Sequence, residues 1–439
     1  MRLLFFGLAL FACTNLYATN YYVSSKKGSP ENSGKSPGQA KRTIQEAANL
    51  TKAGDTVLVM NGTYFNDCSS CNVVDIPVSG TKSAYIIYKN YPGHSPVISF
   101  NGWAGFSIAK NISYIKITGF EIIGNNENVS LRKAIKQPGS CDNKEGEYDP
   151  AFNGNGIAIS GKQGQHPHHI EILNNVIHDC GGGGIGASQA DYITAEGNTI
   201  YNTSWYTVFG TSGISFYQFW NFDQANGYHN IIRNNKCYNN RNFVKWADLC
   251  RIADGNGIII DDFRNEQNGS SLGPYHGRTL IENNICWFNG GTGIHTFQSD
   301  HVDIFNNTAY RNAQSRELEV GQIQAGVSGD IRIVNNILVT DRDKLINYNF
   351  KNSDLVYRNN LHYNVNRRKV QTAITNVTCT ENVDPMFEKP SKNIRADFRL
   401  KLRSPAVNCG NPEIYSPFDY TGIKRPVREE PDIGAFEQR

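Results

Sequence analysis

Ile170-Glu171-Ile172-Leu173-Asn174-Asn175 holds in six residues the unit from which this chain is built. Apolar and polar side chains alternate with the period of a strand, and a pair of asparagines ends the alternation. The unit returns as Ile231-Ile232-Arg233-Asn234-Asn235, Leu280-Ile281-Glu282-Asn283-Asn284, Ile304-Phe305-Asn306-Asn307, Ile333-Val334-Asn335-Asn336 and Val356-Tyr357-Arg358-Asn359-Asn360. A further copy, Ala195-Glu196-Gly197-Asn198, has glycine in the first place. Measured on the second asparagine, successive copies lie 23, 37, 49, 23, 29 and 24 residues apart. A base period of 23 or 24 suits one three-strand coil of a solenoid, with the longer intervals marking insertions.

Stacking such coils sets Asn175, Asn198, Asn235, Asn284, Asn307, Asn336 and Asn360 in one column at steps of ~4.8 Å. Asparagine suits the position because it tolerates left-handed backbone angles and its amide can bond the same amide one coil away. Two residues on, Ile177, Ile200, Cys237, Cys286, Ala309 and Leu338 form an inward apolar column, which makes Cys237 and Cys286 neighbours, as packed thiols or as a disulfide. A second strand precedes each unit, in copies such as Ser212-Gly213-Ile214, Asn256-Gly257-Ile258 and Thr292-Gly293-Ile294. Period-2 alternation turns its isoleucines inward and the residues between them outward.

The expected fold is therefore all-β, a parallel β-helix with a short capping helix at residues 43–51. Composition agrees: 41 Gly, 11% aromatic residues and only 3 Met favour strands and turns over long helices. Residues 1–18 read as an export signal, 19–60 as the N-terminal cap and first strand, 61–380 as the β-helix and 381–439 as a segment packed against it. The signal consists of Arg2, an apolar run over residues 3–12 and a small-residue exit at Ala18. A lipid anchor at Cys13 is the alternative, since residues 10–13 resemble a lipobox. No later segment is apolar enough to span a membrane, so a secreted or periplasmic protein is expected.

The net charge of +3 carries no message about partners and lacks the basic excess of a nucleic-acid binder. The expected partner is a polysaccharide, with no nucleic acid, no integral membrane span and no second copy of the chain. Export permits disulfides, and Cys68-Ser69-Ser70-Cys71 could close a small loop.

Tyr21-Tyr22-Val23-Ser24, Gly54-Asp55-Thr56-Val57 and the C-terminal Asp432-Ile433-Gly434-Ala435-Phe436-Glu437 are similar to secreted bacterial β-helix proteins. With the repeat, they make the chain resemble the pectate-lyase-like right-handed β-helix superfamily over nearly all of its length after the signal. That resemblance implies fold and a groove suited to polysaccharide, and does not by itself imply a reaction.

The two longest intervals, 37 and 49, put insertions on adjacent coils, and grafted loops are where function sits. The first, at residues 205–222, is aromatic, and Trp205, Tyr217 and Trp220 are candidates to stack on sugar rings, joined by Phe297 and by His276. The second gathers Lys245, Asp248, Arg251, Asp254, Asp261, Asp262 and Arg264. Adjacent carboxylates at a strand end can hold Ca²⁺ or split their pKa values into an acid and a base. An ion-pair network would gather the same charges for structure alone.

Three chemistries fit. A lyase would hold Ca²⁺ on Asp254, Asp261 and Asp262 and use Lys245, Arg251 or Arg264 as the base, a role the resemblance to β-helix pectate lyases implies by region. A glycoside hydrolase would pair Asp254 with Asp261 or Asp262, assisted by His295. A non-catalytic glycan binder would need only the groove. Glu317 and Glu319 lie on a later coil within reach of it, and the histidines of residues 165–169 read as a solvated turn.

Overall fold

The computed structural model describes residues 18–162, 164–341, 343–366 and 382–439. The expected export signal, Cys13 and the boundary at residue 380 lie outside the described residues, apart from Ala18. No described helix is long and apolar enough to cross a membrane.

Each coil contributes one strand to each of three sheets. One coil runs through Asp191–Glu196, Thr199–Tyr201 and Ile214–Tyr217, and the next through Tyr228–Arg233, Lys236–Tyr238 and Ile258–Asp261. Among the described residues these sheets have 11, 10 and 8 strands, and the strands paired within them are parallel. The solenoid starts earlier than expected, because Asn20–Val23 already pairs with Thr56–Val59. The capping helix is Ile44–Ala48, held by a reciprocal box in which Thr43 accepts from the Glu46 N–H and Glu46 accepts from the Thr43 N–H. It buries Ile44, Ala47 and Ala48 against the first strands.

The asparagine pair divides its work. The first member takes the left-handed backbone, at φ between 49° and 59° in Asn174, Asn234, Asn283, Asn306, Asn335 and Asn359, and at 69° in Gly197, which explains the glycine variant. The second member stacks. From Asn175 to Asn360, each Oδ1 after the first accepts both the backbone N–H (2.8–3.0 Å) and the Nδ2 (2.9–3.2 Å) of the asparagine one coil before. Each Nδ2 also donates to a backbone carbonyl, as Asn284 does to Ile232 at 2.8 Å.

Inside the coils, Ile177, Ile200, Cys237, Cys286, Ala309 and Leu338 are all buried. Cys237 and Cys286 face each other in register as unbridged thiols, one of the two forms expected. A second amide ladder, not read from the sequence, runs Asn240, Asn289, Asn312 and Gln322 at the corner leading into the third sheet.

The left-handed asparagines bind the C-terminal segment to the coils. Asn283 donates to Ser416 Oγ and the Phe418 carbonyl at 2.8 Å, Asn306 to the Asp432 carbonyl at 3.0 Å and Asn335 to the Ile414 carbonyl at 3.0 Å. Within that segment Phe387–Lys389 and Asp397–Leu400 pair antiparallel, and Ile433 and Ala435 are buried.

Asn284→Ala would leave two buried N–H bonds of Asn235 without an acceptor, its backbone N–H and one of the two on Nδ2, the other staying on the Ala195 carbonyl. At ~1–3 kcal/mol for each unsatisfied group, unfolding free energy should drop by about 3 kcal/mol. Denaturant titration checks this, and a loss below about 1 kcal/mol would mean that the column contributes little.

Candidate functional site

The outward positions of the third sheet form two rows. Tyr217, Asp261, Phe297 and Gly326 stand in register on successive coils, and Ser215, Ile259, His295 and Gln324 stand beside them. Both rows contribute to the floor of a cleft of about 1300 Å³. Its walls come from Phe209, Val244 and Trp246, from the Cys141–Cys250 disulfide, and from Leu318, Val320, Tyr348 and Phe350. Beneath the inserted loops Ala134, Phe152, Val208 and Val244 form a small apolar core of their own, so these loops are packed structures.

Two of the acidic side chains that line the cleft, Asp254 and Asp261, have raised pKa values. Asp261 ends the strand Ile258–Asp261, with Gln267 Nε2 donating to its Oδ1 at 3.1 Å. Asp254 sits in a left-handed turn at φ 55° and accepts from Asn256 Nδ2 at 3.2 Å. Its Oδ2 lies where a Cβ on Gly210 would come within 2.4 Å, so glycine at 210 leaves the room that the carboxylate occupies.

Desolvation in the cleft pushes Asp261 up to about 8, and the neighbouring charge of Asp254 adds to the rise. Desolvation also lifts Asp254 to about 6. The value for Asp254 lies below that for Asp261, so near neutral pH one of the two carboxyl groups is protonated and the other ionised. His295 is pushed down to about 4 by burial and is neutral, and its Nε2 accepts from Gln324 Nε2 at 3.2 Å. The cleft can therefore donate one proton and offer one anionic oxygen, with Asp261 standing between Tyr217 and Phe297 in register.

A sequence model described as "Pel9A-like, right handed beta helix region" matches residues 21–327. The chain belongs to this Pel9A-like right-handed β-helix family. The crystal structure of pectate lyase Pel9A aligns with a TM-score of 0.54 at 17% identity, covering 97% of this chain and 98% of that one. A GH136 lacto-N-biosidase from Eubacterium ramulus aligns with a TM-score of 0.50 at 17% identity, covering 78% of this chain and 56% of that one. At these identities the likeness concerns the fold. No curated protein matches the chain.

On this Pel9A-like coil the expected site residues separate. Lys245, Arg251, Asp254, Asp261, His295, Tyr217 and Phe297 all line the cleft, with Glu317 and Glu319, and Lys245 and Arg251 are exposed. Arg264 does not line it. Its guanidinium forks onto Asp300, with Nε 3.0 Å from both carboxylate oxygens, and that contact raises its pKa. Asp262 turns away from the cleft and is buried, accepting from the N–H groups of Glu266 and Gln267 and from Gln218 Nε2, each at 2.8 Å. It shapes the loop that brings Gln267 onto Asp261.

Trp205 gives its indole N–H to the Asn239 carbonyl at 3.0 Å and packs its ring against Tyr206 and Phe243. Trp220 stacks on His166 at 4.6 Å, away from the cleft lining, and His276 is exposed in a loop whose backbone bonds Asn221. Sequence reasoning missed Trp246, Tyr348, Phe350 and the Cys141–Cys250 staple. The insertion before Asn155 precedes the first asparagine marker and so left no gap in the spacing; Cys141 was its only trace.

Asp262→Asn should lower stability by ~1–3 kcal/mol, since one carboxylate oxygen with its acceptor sites is lost from a buried turn. Asp261→Asn should behave differently. The folded protein keeps the Asp261 proton up to about pH 8, while the unfolded chain releases it near pH ~4, so this group makes stability fall as pH rises between those values. Removing the group should raise the melting temperature relative to the parent more at about pH 8 than at about pH 5. Equal shifts at the two pH values would show that the carboxyl titrates normally.

Proposed function

We propose that the protein is an exported glycoside hydrolase acting on an uncharged glycan, with Asp254 and Asp261 as its acid and base pair. The reading rests on Asp254 and Asp261 lining the same cleft, where desolvation raises Asp254 to about 6 and Asp261 to about 8. Hydrolysis of a glycosidic bond needs one carboxyl to protonate the leaving oxygen and one carboxylate to attack the sugar carbon or to activate water. The rings of Tyr217 and Phe297 flank Asp261 in register and offer stacking faces on both sides of the reacting position.

The charge of the cleft favours hydrolysis over β-elimination. Asp142, Asp248, Asp254, Asp261, Glu317 and Glu319 line it against Lys245 and Arg251, a field that repels the carboxylates of a uronate polymer. A lyase would offset this with Ca²⁺, yet Asp262 turns away from the cleft and accepts from two N–H groups of its own loop and from Gln218 of the preceding coil. Among the described residues no group of three or more acidic, His or Cys side chains could hold a metal ion. Ca²⁺ prefers six to eight oxygens, more than Asp254 and Asp261 supply between them.

Export is supported by the Cys68–Cys71 and Cys141–Cys250 disulfides, which persist in oxidising compartments.

Asp254→Asn and Asp261→Asn should each cut kcat by roughly 10²–10⁴. The wild-type rate should follow a bell with limbs near pH 6 and pH 8, falling below the first as both carboxyls protonate and above the second as the remaining proton is lost. Digestion of a panel of neutral and uronic glycans, followed by reducing ends and by ultraviolet absorbance, checks the chemistry. Hydrolysis yields reducing ends without absorbance and ignores chelator. An absorbing unsaturated product lost on chelation would make the enzyme a lyase, and turnover of nothing with binding intact would leave a glycan-binding protein.

A further inference from the structure

Two glycines face outward on the third sheet on either side of the Asp261 coil, and their surroundings differ. Gly186 pairs with Ser215, which pairs with Ile259, so it lies two coils toward the N-terminus. A Cβ placed there would meet nothing within 4 Å. Gly326 pairs with Phe297, which pairs with Asp261, so it lies two coils toward the C-terminus. A Cβ there would fall 2.6 Å from the Phe350 ring and 3.3 Å from that of Phe297.

The sheet stops at this second glycine. Ile323–Gly326 is its last strand among the described residues, and Asn347 and Phe350 add single bridges beyond it. Phe350 lies over Gly326, 6.5 Å from Phe297 and 5.1 Å from Tyr348 between ring centroids, and all three rings line the cleft. Together they form an aromatic end wall, while no such wall stands over Gly186.

We infer, on the glycosidase reading above, that the cleft is blind at its C-terminal end and that the enzyme works from a glycan chain end. The terminal sugars enter between Asp261 and the Phe350 wall, and the rest of the chain leaves over the open coils toward Gly186. Two coil steps span on the order of 10 Å, which limits the enclosed segment to about two sugar rings. Phe350 is then the residue that sets product length, and Gly326 the residue that lets its ring close the floor.

The test uses the full chain and a panel of neutral oligosaccharides and polymers (xylan, mannan, β-glucan, galactan and N-acetylhexosamine chains). Each is prepared free, with the reducing end blocked by a bulky tag, and with the non-reducing end blocked. Binding to the Asp261→Asn variant is measured by calorimetry, and products of the wild type by chromatography. Blocking one of the two ends should weaken binding at least tenfold, and the first product detected should be a single short unit. Phe350→Ala should abolish most of that end effect and lengthen the product. Equal binding of blocked and free chains, or a random set of internal fragments from the first minutes, overturns the blind-end inference while leaving the glycosidase reading intact. Binding with the end effect but no cleavage, and no difference between wild type and Asp254→Asn, removes the glycosidase reading and keeps the blind end. Failure of every chain to bind overturns both.

Discussion

The structure depends on one hydrogen-bond pattern, an asparagine amide oxygen that takes two N–H groups from the coil before it. A solenoid exposes a chain reversal at every coil, and each reversal leaves polar backbone groups that must be bonded or hydrated. Here Asn198, Asn235, Asn284, Asn307 and Asn336 each take the two donors of the preceding asparagine and pass their own to the next, while the Nδ2 also reaches a carbonyl. Because every member is fully bonded and buried, the column fixes register: a strand slipped by one residue would break two bonds at its corner and expose its isoleucines.

The same motif explains why one face of the coil is free for chemistry. Its left-handed partner, Asn283, Asn306 or Asn335, turns its amide outward and ties down the C-terminal segment over Trp287, Tyr310 and Val339 of the second sheet. Over the third sheet the described residues instead place the inserted loops that wall the cleft. The sheet's outward residues, Asp261, His295 and Phe297 among them, are held in place by the register of the coil and face the cleft.

The asparagine pairs and alternating isoleucines made the fold legible, because each element needs the same residue types at the same period. Part of the site was legible for the opposite reason. Long intervals and concentrated charge pointed to the coils that carry Asp254 and Asp261, and alternation placed Asp261, Tyr217 and Phe297 outward in one row. What charge composition could not reveal was direction. Asp261 and Asp262 are adjacent and identical in type, yet the left-handed backbone of Asp262, at φ 50°, turns it into its own loop. Arg264 was equally opaque, since its partner Asp300 lies on the next coil and no local pattern joins them. Aromatic residues divided in the same way: Trp220 found a histidine ring to cover, and Phe350 became an end wall because the coil before it has glycine.

The chemistry and the loops are coupled through solvent. Asp254 and Asp261 owe their raised values first to desolvation, and the cleft that buries them is walled by residues the coil does not supply, Phe209, Trp246 and the two inserted loops joined by Cys141–Cys250. A bare β-helix with the same two aspartates on its surface would keep both ionised near neutral pH, with charge repulsion but no proton to donate. The insertions therefore do more than shape a binding surface. By excluding water over one coil of a repetitive scaffold they raise the pKa values of two carboxyl groups, and the separate apolar core beneath them holds that exclusion in place.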